Sequence, residues 1–219
     1  MNLPRILRYV VAAQLLFAAA ALAQYKVASV STPPDVPSSI QSLLDPQGAQ
    51  VVDGQGAVVC EIWLRKSVPA NPNPNNSSDV LYGSLAEGTF LGVLHFPAQG
   101  ADFKGQAIKA GFYTLRYALI PQDGNHMGVN PYRDVVVLGP VAADTTPETA
   151  LKFDGLVKLS RQASGTPHPA LLVMGQVNGD TLPSVVKDDQ GHWNLQAKLH
   201  GQSGDVPVAI TVVGKWEGQ

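Results

Sequence analysis

The sequence predicts an all-β protein, an antiparallel β-sandwich of the jelly-roll or immunoglobulin-like type with one α-helix near residues 147–163. Apolar and polar side chains alternate with a period of two along several segments, most clearly from Phe112 to Ile120. The 219 residues include 21 glycines and 17 prolines, a composition that favours many short strands joined by tight turns. One segment has helical spacing, so the helix is an addition to a β fold.

The N-terminus has the features of a secretory signal peptide. Two arginines precede an apolar run from Val10 to Leu22, and Ala21 and Ala23 are the small residues of an A-x-A-type cleavage site. The run is shorter than the ~20 residues that a membrane-spanning helix needs, and Gln14 interrupts it. We therefore expect residues 1–23 to be removed by cleavage after Ala23, which places the protein in the periplasm or outside the cell.

Charge and motifs exclude several classes of function. Loss of the signal peptide removes two arginines and no acidic residue, so the net charge moves from −2 to −4. A mildly acidic chain without basic clusters is a poor partner for nucleic acid, and we expect no membrane association after cleavage. The chain contains no P-loop, no G-x-S-x-G, no H-E-x-x-H and no pair of cysteines, and we predict no cofactor.

After the signal peptide, we predict an extended N-terminal arm over residues 24–50 and one β-sandwich domain over residues 51–219. The arm is interrupted by prolines, with a short strand at Tyr25–Ser31 and one helical turn near Ser38–Leu44. The only cysteine, Cys60, shares the phase of the apolar residues in its strand. It is therefore expected in the core as a small apolar side chain rather than as a reactive thiol.

The elements of the domain follow from periodicity and turn signals. The helix is predicted from Pro147 to Ala163, because Thr145 and Glu148 have capping-box spacing and Gly165 follows the apolar stripe. Strands are predicted at residues 56–66, 80–96 (as a pair or one bent strand), 103–109, 112–120, 134–138, 170–174, 182–187, 192–200 and 206–214.

The loop at residues 121–134 combines many polar groups and suggests a metal site as one alternative. Asp123, Asn125, Gly128 and Asp134 match four positions of an EF-hand count, but Met127 occupies a ligand position and strands flank the loop. Copper is a second alternative, through histidine and methionine side chains including His126 and Met127, although Cys60 lies far from them in sequence. We assign no metal ligand and no catalytic residue from the sequence. A hydrolase remains a further alternative, for example through Ser164 and His168.

The preferred candidate for function is a binding surface on the non-core faces of the two clearest strands and the adjacent loop. Charged residues in mid-strand must either face water or be paired. An aromatic ring among hydrogen-bonding groups would suit a sugar, a peptide or another protein, whereas the simpler alternative is a solvated or salt-bridged outer sheet face. The candidate ligand-binding residues are Glu61, Trp63, Arg65, Arg116, His126, Tyr132 and Arg133.

The segments AGFYTLRYALIPQDGNHMG, YRDVVVL, HPALLVM and GHWNLQAKL resemble those of uncharacterised secreted β-sandwich proteins of bacteria. The resemblance spans much of residues 55–214. It implies a shared secreted β-rich fold and assigns no catalytic residue.

The sequence leads to one function hypothesis and one alternative. We predict a secreted or periplasmic, non-catalytic binding or accessory protein whose ligand is undefined. The alternative is a metal-binding protein, for copper or calcium, or a hydrolase, centred on the 121–134 loop. Whether the protein is an enzyme is left open.

Overall fold

The computed structural model describes residues 24–31, 35–122 and 131–215. The strands are β1 (Lys26–Ser31), β2 (Gln47–Val52), β3 (Val58–Leu64), β4 (Phe90–Phe96), β5 (Gly100–Ala101), β6 (Ala107–Ile108), β7 (Gly111–Leu119), β8 (Asp134–Pro140), β9 (Leu171–Gly175), β10 (Ser184–Lys187), β11 (Trp193–Leu199) and β12 (Val206–Val213). The helices are α1 (Ser38–Gln41), α2 (Phe153–Ser164) and a 3-10 turn at Val141–Ala143.

Ten of these strands form one antiparallel sheet in the order β1-β2-β3-β4-β7-β8-β9-β12-β11-β10. The edge strands β1 and β10 touch, so the sheet is nearly closed into a barrel. Tyr25, beside β1, closes part of the gap by packing edge-on against Trp193 of β11 at 5.1 Å between ring centroids. The expected antiparallel β fold is thus confirmed. A division into two sandwich sheets is not clear, because every strand in this order is hydrogen-bonded to the next one.

The last four strands have a Greek-key arrangement, because β12 returns to lie between β9 and β11. The connection from β9 to β10 must therefore cross β12 and β11. It does so over the outer face of the sheet, where the two polar atoms of the Gln196 side-chain amide lie 2.9 and 3.0 Å from the carbonyl and the N–H of Asn178, and Gln196 is only 1 % exposed. This crossing buries a row of polar side chains on the outer face of β11 and β12.

The inner faces of the strands enclose an apolar core. On β7, Tyr113, Leu115, Tyr117 and Leu119 all belong to this core, as their alternation predicts. Cys60 also lies in it and is fully buried, and burial raises the pKa of its thiol to about 12. This agrees with an apolar packing role for the cysteine.

The segment predicted as an N-terminal arm contributes two strands to the main sheet. The strand expected at 25–31 corresponds to β1, and the expected helical turn corresponds to α1. The second strand, β2, pairs with both β1 and β3 and was not predicted.

Three predicted strands are shorter in the structure. The segment 80–96 is a strand only at β4, the segment 103–109 only at β6, and the segment 182–187 only at β10. The residues before β4 pack instead as a loop, in which Tyr82 and Leu85 are buried.

The helix begins later than predicted, at Phe153 rather than Pro147. The backbone carbonyls of Thr146 and Thr149 accept hydrogen bonds from Arg116, which keeps this segment out of the helix. Gly165 ends the helix in the left-handed conformation, as expected. Among the residues that the structure describes, no helix has both the length and the apolar character needed to cross a membrane.

Candidate functional site

The structure does not bring the sequence-predicted binding residues together on one open surface. Arg116 is fully buried on the outer face of β7. Its guanidinium has five N–H groups, and all five are used. Two donate to the Asp144 carboxylate, each at 2.7 Å, and three to the carbonyls of Gly88 (2.7 Å), Thr146 (2.9 Å) and Thr149 (2.9 Å). Arg116 therefore has no donor left for a ligand.

Trp63 is also covered. Only 1 % of the residue is exposed, and its indole N–H donates to the carbonyl of Ser31 at 2.6 Å. The ring belongs to a second apolar cluster with Ile40 and Leu44, from α1 and the residues after it. The segment predicted as an arm thus covers this part of the outer face.

The other predicted residues are dispersed. Glu61 is partly exposed and binds Gln50 (2.6 Å) and the Nδ1 of His95 (2.7 Å). Burial lowers the pKa of Arg65, with an opposing contribution from the charge of Glu148.

Arg133 lies at the end of the sheet where β8 begins. It donates from Nε to the carbonyl of Ile120 at 2.8 Å, and its Nη1 lies 3.8 Å from Asp79. His126 lies outside the described residues.

Two predicted residues line cavities. Arg65 lines a cavity of about 210 Å³, and Tyr132 lines a larger one, which we call the polar groove. The polar groove has a volume of about 350 Å³ and lies on the outer face of β9, β12 and β11. Hydrogen-bonding side chains dominate its lining. They are Tyr132, Gln176, Asn178, Asp188, Asp189, Gln190, His192, Asn194 and Thr211, and the other lining residues are Phe103, Pro131, Val173 and Gly175.

A connected network holds the floor of the polar groove. Asp188 Oδ2 lies 3.2 Å from His192 Nδ1 and accepts from Asn194 Nδ2 at 3.2 Å. Asn194 Oδ1 in turn accepts from the Thr211 hydroxyl at 2.7 Å. On the opposite wall, Gln176 donates to the Tyr132 hydroxyl at 2.5 Å. These contacts fix the orientation of the polar groups before any ligand arrives.

The rim of the polar groove is different, because Asn178, Asp189 and Gln190 are exposed. Within residues 24–31, 35–122 and 131–215, the side chains of these three residues form no hydrogen bond and no ion pair. Their polar groups therefore remain available to a bound molecule.

The turn that supplies Asp188 and His192 occurs three times in the described part of the chain, at residues 53–57, 102–106 and 188–192. In each turn an aspartate comes first and a glycine with positive φ comes fourth, and the aspartate carboxylate accepts the backbone N–H groups of the third and fifth residues. The backbone bonds of the first residue are also the same, with N–H donated to the fifth residue and C=O accepting from the fourth, at 2.9–3.1 Å. This is the hairpin loop in which a left-handed glycine follows a tight turn.

Comparison of these turns shows which side chains are needed to form the turn and which are not. The turn at 53–57 has Gly54 and Ala57 where the turn at 188–192 has Asp189 and His192. The hydrogen bonds are the same, so neither of these two polar side chains is needed to form the turn. Both side chains line the polar groove.

The sequence-based alternatives receive no support from the described residues. Ser164 donates its hydroxyl to the carbonyl of His168 at 2.7 Å rather than to the imidazole, so the pair caps the end of α2. No group of three or more metal-binding side chains is found in the part of the chain that the structure describes. Residues 123–130, the centre of the suggested metal loop, lie outside that part.

No protein-family model, no curated protein and no solved structure matches this chain. The assignment of function therefore depends on the chemistry of the site. Sequence reasoning missed the residues of the polar groove other than Tyr132. The signal that was available is the recurrence of Asp-x-x-Gly, which occurs four times, at residues 45–48, 53–56, 102–105 and 188–191, with unusually polar residues in the last copy.

Proposed function

We propose that this chain is a secreted or periplasmic, non-catalytic binding protein, and that the polar groove binds a small polyhydroxylated molecule such as a mono- or disaccharide. The observation that carries the proposal is the presence of Asp189 and His192 in a turn that forms equally well with glycine and alanine at their positions. Side chains that folding does not require, gathered in one cavity, indicate a binding role.

The composition of the polar groove suits hydroxyl groups. Carboxylate and amide side chains offer two polar atoms in one plane, which match the donor and acceptor pairs of neighbouring hydroxyls. The cavity of about 350 Å³ lies within the range of ~300–1,000 Å³ for small-molecule sites. Tyr132 adds a ring with a polar tip, a side chain that combines apolar contact with hydrogen bonding.

The geometry favours binding over catalysis. His192 has an oxygen near each ring nitrogen, the Asp188 carboxylate at Nδ1 and the carbonyl of Lys215 at Nε2, 3.3 Å away. A general base needs an imidazole nitrogen within reach of the substrate proton. Here the ring is held between two protein groups, which supports a role in shaping the polar groove.

The test is calorimetric titration of the purified protein with neutral mono- and disaccharides and linear polyols. The decisive variant is D189G/H192A, which makes residues 188–192 identical in sequence to the turn at 53–57. We expect this variant to keep its unfolding midpoint within a few degrees and to lose at least tenfold in affinity. A loss of that size corresponds to ~1.4 kcal/mol, about what two neutral hydrogen bonds contribute.

Matched controls are available in the same kind of turn. Q190A removes a rim side chain, whereas Q55A removes the glutamine at the equivalent position of the turn at 53–57. We expect Q190A to weaken binding about threefold or more and Q55A to leave it unchanged. Absence of binding across the panel, or equal effects of Q190A and Q55A, would refute the assignment of the polar groove.

The proposed secretion is tested separately, by identifying the N-terminal residue of the mature protein. If residues 1–23 act as a signal peptide, the mature protein recovered from a secreting host begins at Gln24. An intact N-terminus in the soluble cytoplasmic fraction would contradict it.

A further inference from the structure

A second cavity, here called the α2 cleft, lies between α2 and the outer face of β7, β8 and β9. Its volume is about 240 Å³. Most of its lining is apolar: Ala118, Leu119, Ile120, Pro121, Val135, Val137, Phe153, Leu156, Val157, Pro167, Pro169 and Leu171, with Lys104, Arg161 and His168 as the cationic or titratable members. Phe153 is 50 % exposed, the largest departure from burial among the large apolar side chains that the structure describes.

The α2 cleft has chemically different ends. Phe153, Val157 and Arg161 are spaced four residues apart, so they form one stripe along α2. Phe153 is the first residue of the helix, whereas Arg161 lies in the last turn. The stripe thus changes from apolar to cationic over the ~12 Å that eight residues of helix span at ~1.5 Å each.

The cationic end is built from three separate segments. Arg161 comes from α2, His168 from the segment after α2, and Lys104 from the turn at 102–106. Gln106 of that turn donates to the carbonyl of Pro169 at 3.2 Å and accepts from the Thr166 hydroxyl at 2.6 Å, which places the turn beside the segment after α2. Arg161 donates from Nε to the carbonyl of Pro167 at 2.6 Å, which fixes the plane of its guanidinium. Within residues 24–31, 35–122 and 131–215, none of the three side chains pairs with a carboxylate. Asp154, the acidic residue in the first turn of α2, does not line the α2 cleft.

We propose that the α2 cleft binds a small amphipathic monocarboxylate, with its apolar chain or ring along Phe153 and Val157 and its carboxylate at Arg161 and Lys104. The apolar lining supplies the burial of the ligand body, and the guanidinium is suited to a planar carboxylate. The volume is below the ~300 Å³ at which drug-sized sites begin, so the ligand is small, comparable to a medium-chain fatty acid or an aryl acid.

This site is independent of the polar groove. The turn at 102–106 separates the two cavities, since Phe103 lines the polar groove and its neighbour Lys104 lines the α2 cleft. Failure of one proposal leaves the other intact.

The experiment compares octanoate with 1-octanol by calorimetric titration of the purified protein. We expect octanoate to bind about tenfold more tightly than 1-octanol, because only octanoate offers a charged acceptor. R161Q should weaken octanoate binding about tenfold and leave 1-octanol unchanged. K104Q, whose side chain forms no hydrogen bond with the described residues, should act in the same direction without altering the fold.

The matched control is K158Q, which removes one positive charge from an exposed position of the same helix outside the α2 cleft. It should leave octanoate binding unchanged. V157W should fill the α2 cleft and abolish binding of both compounds. The proposal is overturned if neither compound binds, if 1-octanol binds as tightly as octanoate, or if R161Q and K104Q have no more effect than K158Q.

Discussion

The buried pair of Arg116 and Asp144 provides a direct test of whether Arg116 is structural or a ligand-binding residue. D144A would leave the guanidinium without its carboxylate in a position with no exposed surface. Breaking a buried ion pair by removal of one partner costs about 3–5 kcal/mol. That is a large part of the ~5–15 kcal/mol by which native proteins are stable.

The magnitude follows from the contacts. Asp144 accepts two charge-assisted hydrogen bonds of 2.7 Å, and no other carboxylate contacts the guanidinium in the described structure. The three carbonyl acceptors satisfy the remaining N–H groups but do not neutralise the charge. We therefore expect the free energy of unfolding of D144A, measured by urea denaturation followed by circular dichroism, to fall by at least 3 kcal/mol.

Two further variants make the measurement interpretable. D79A removes a partly exposed carboxylate that lies 3.8 Å from Arg133 and accepts a hydrogen bond from Gln122 at 2.7 Å, which should cost about 1 kcal/mol. The double variant R116M/D144L removes both charges, so the difference between its stability and that of D144A weighs the unpaired charge against the loss of the donors to the three carbonyls. A cost below 1 kcal/mol for D144A would refute the structural role and return Arg116 to the candidate ligand-binding residues.

Three other perturbations test separate parts of the fold. Y82F removes the hydroxyl that hydrogen-bonds to Gly175 of β9 and Ala209 of β12, and it should lower the free energy of unfolding by about 1–3 kcal/mol in urea denaturation. An unchanged free energy of unfolding would mean that this hydroxyl does not stabilise the junction of the two strands. G139A should also be destabilising, because a Cβ at this position would lie 2.5 Å from Leu159 Cγ of α2; an unchanged thermal midpoint would show that α2 shifts freely. Burial raises the pKa values of Cys60 and Tyr82, each to about 12. Both groups therefore stay neutral in the folded protein while the unfolded chain ionises from about pH 9, so stability should fall between about pH 9 and 12, and Cys60 should react with thiol reagents at pH 8 only after unfolding.

The local elements were largely predictable from the sequence, because side-chain alternation directly reports which residues face the core. The inward residues of β7 and the burial of Cys60 are examples. The closure of the sheet was not predictable in this way, since alternation is the same in a sandwich and in one curled sheet. The start of α2 was not predictable either, because the buried Arg116 of β7 donates hydrogen bonds to backbone carbonyls of the segment that precedes the helix.

The candidate site was less accessible to sequence reasoning than the fold. A charged residue in mid-strand is compatible with an open binding face or with a buried pair, and only three-dimensional contacts separate the two. For Arg116, the partner Asp144 is 28 residues away. Tyr132 was identified because its loop is rich in polar residues. The polar side chains of β11 and β12 were missed because alternation alone assigns them to a solvated face.

The Tyr82 hydroxyl has a consequence for the order in which the protein folds. It donates to the carbonyl of Gly175 at 2.6 Å, 93 residues away, and accepts from the N–H of Ala209 at 3.0 Å, 127 residues away. Only two residue pairs join β9 to β12 directly, so the Tyr82 side chain adds a further link between two strands that are paired over a short length. Contacts between such distant residues are slow to form, because a long loop must close before they are gained. Pulse-labelled hydrogen exchange during refolding should therefore protect the amides of β7 and β8 first and the amide of Ala209 last.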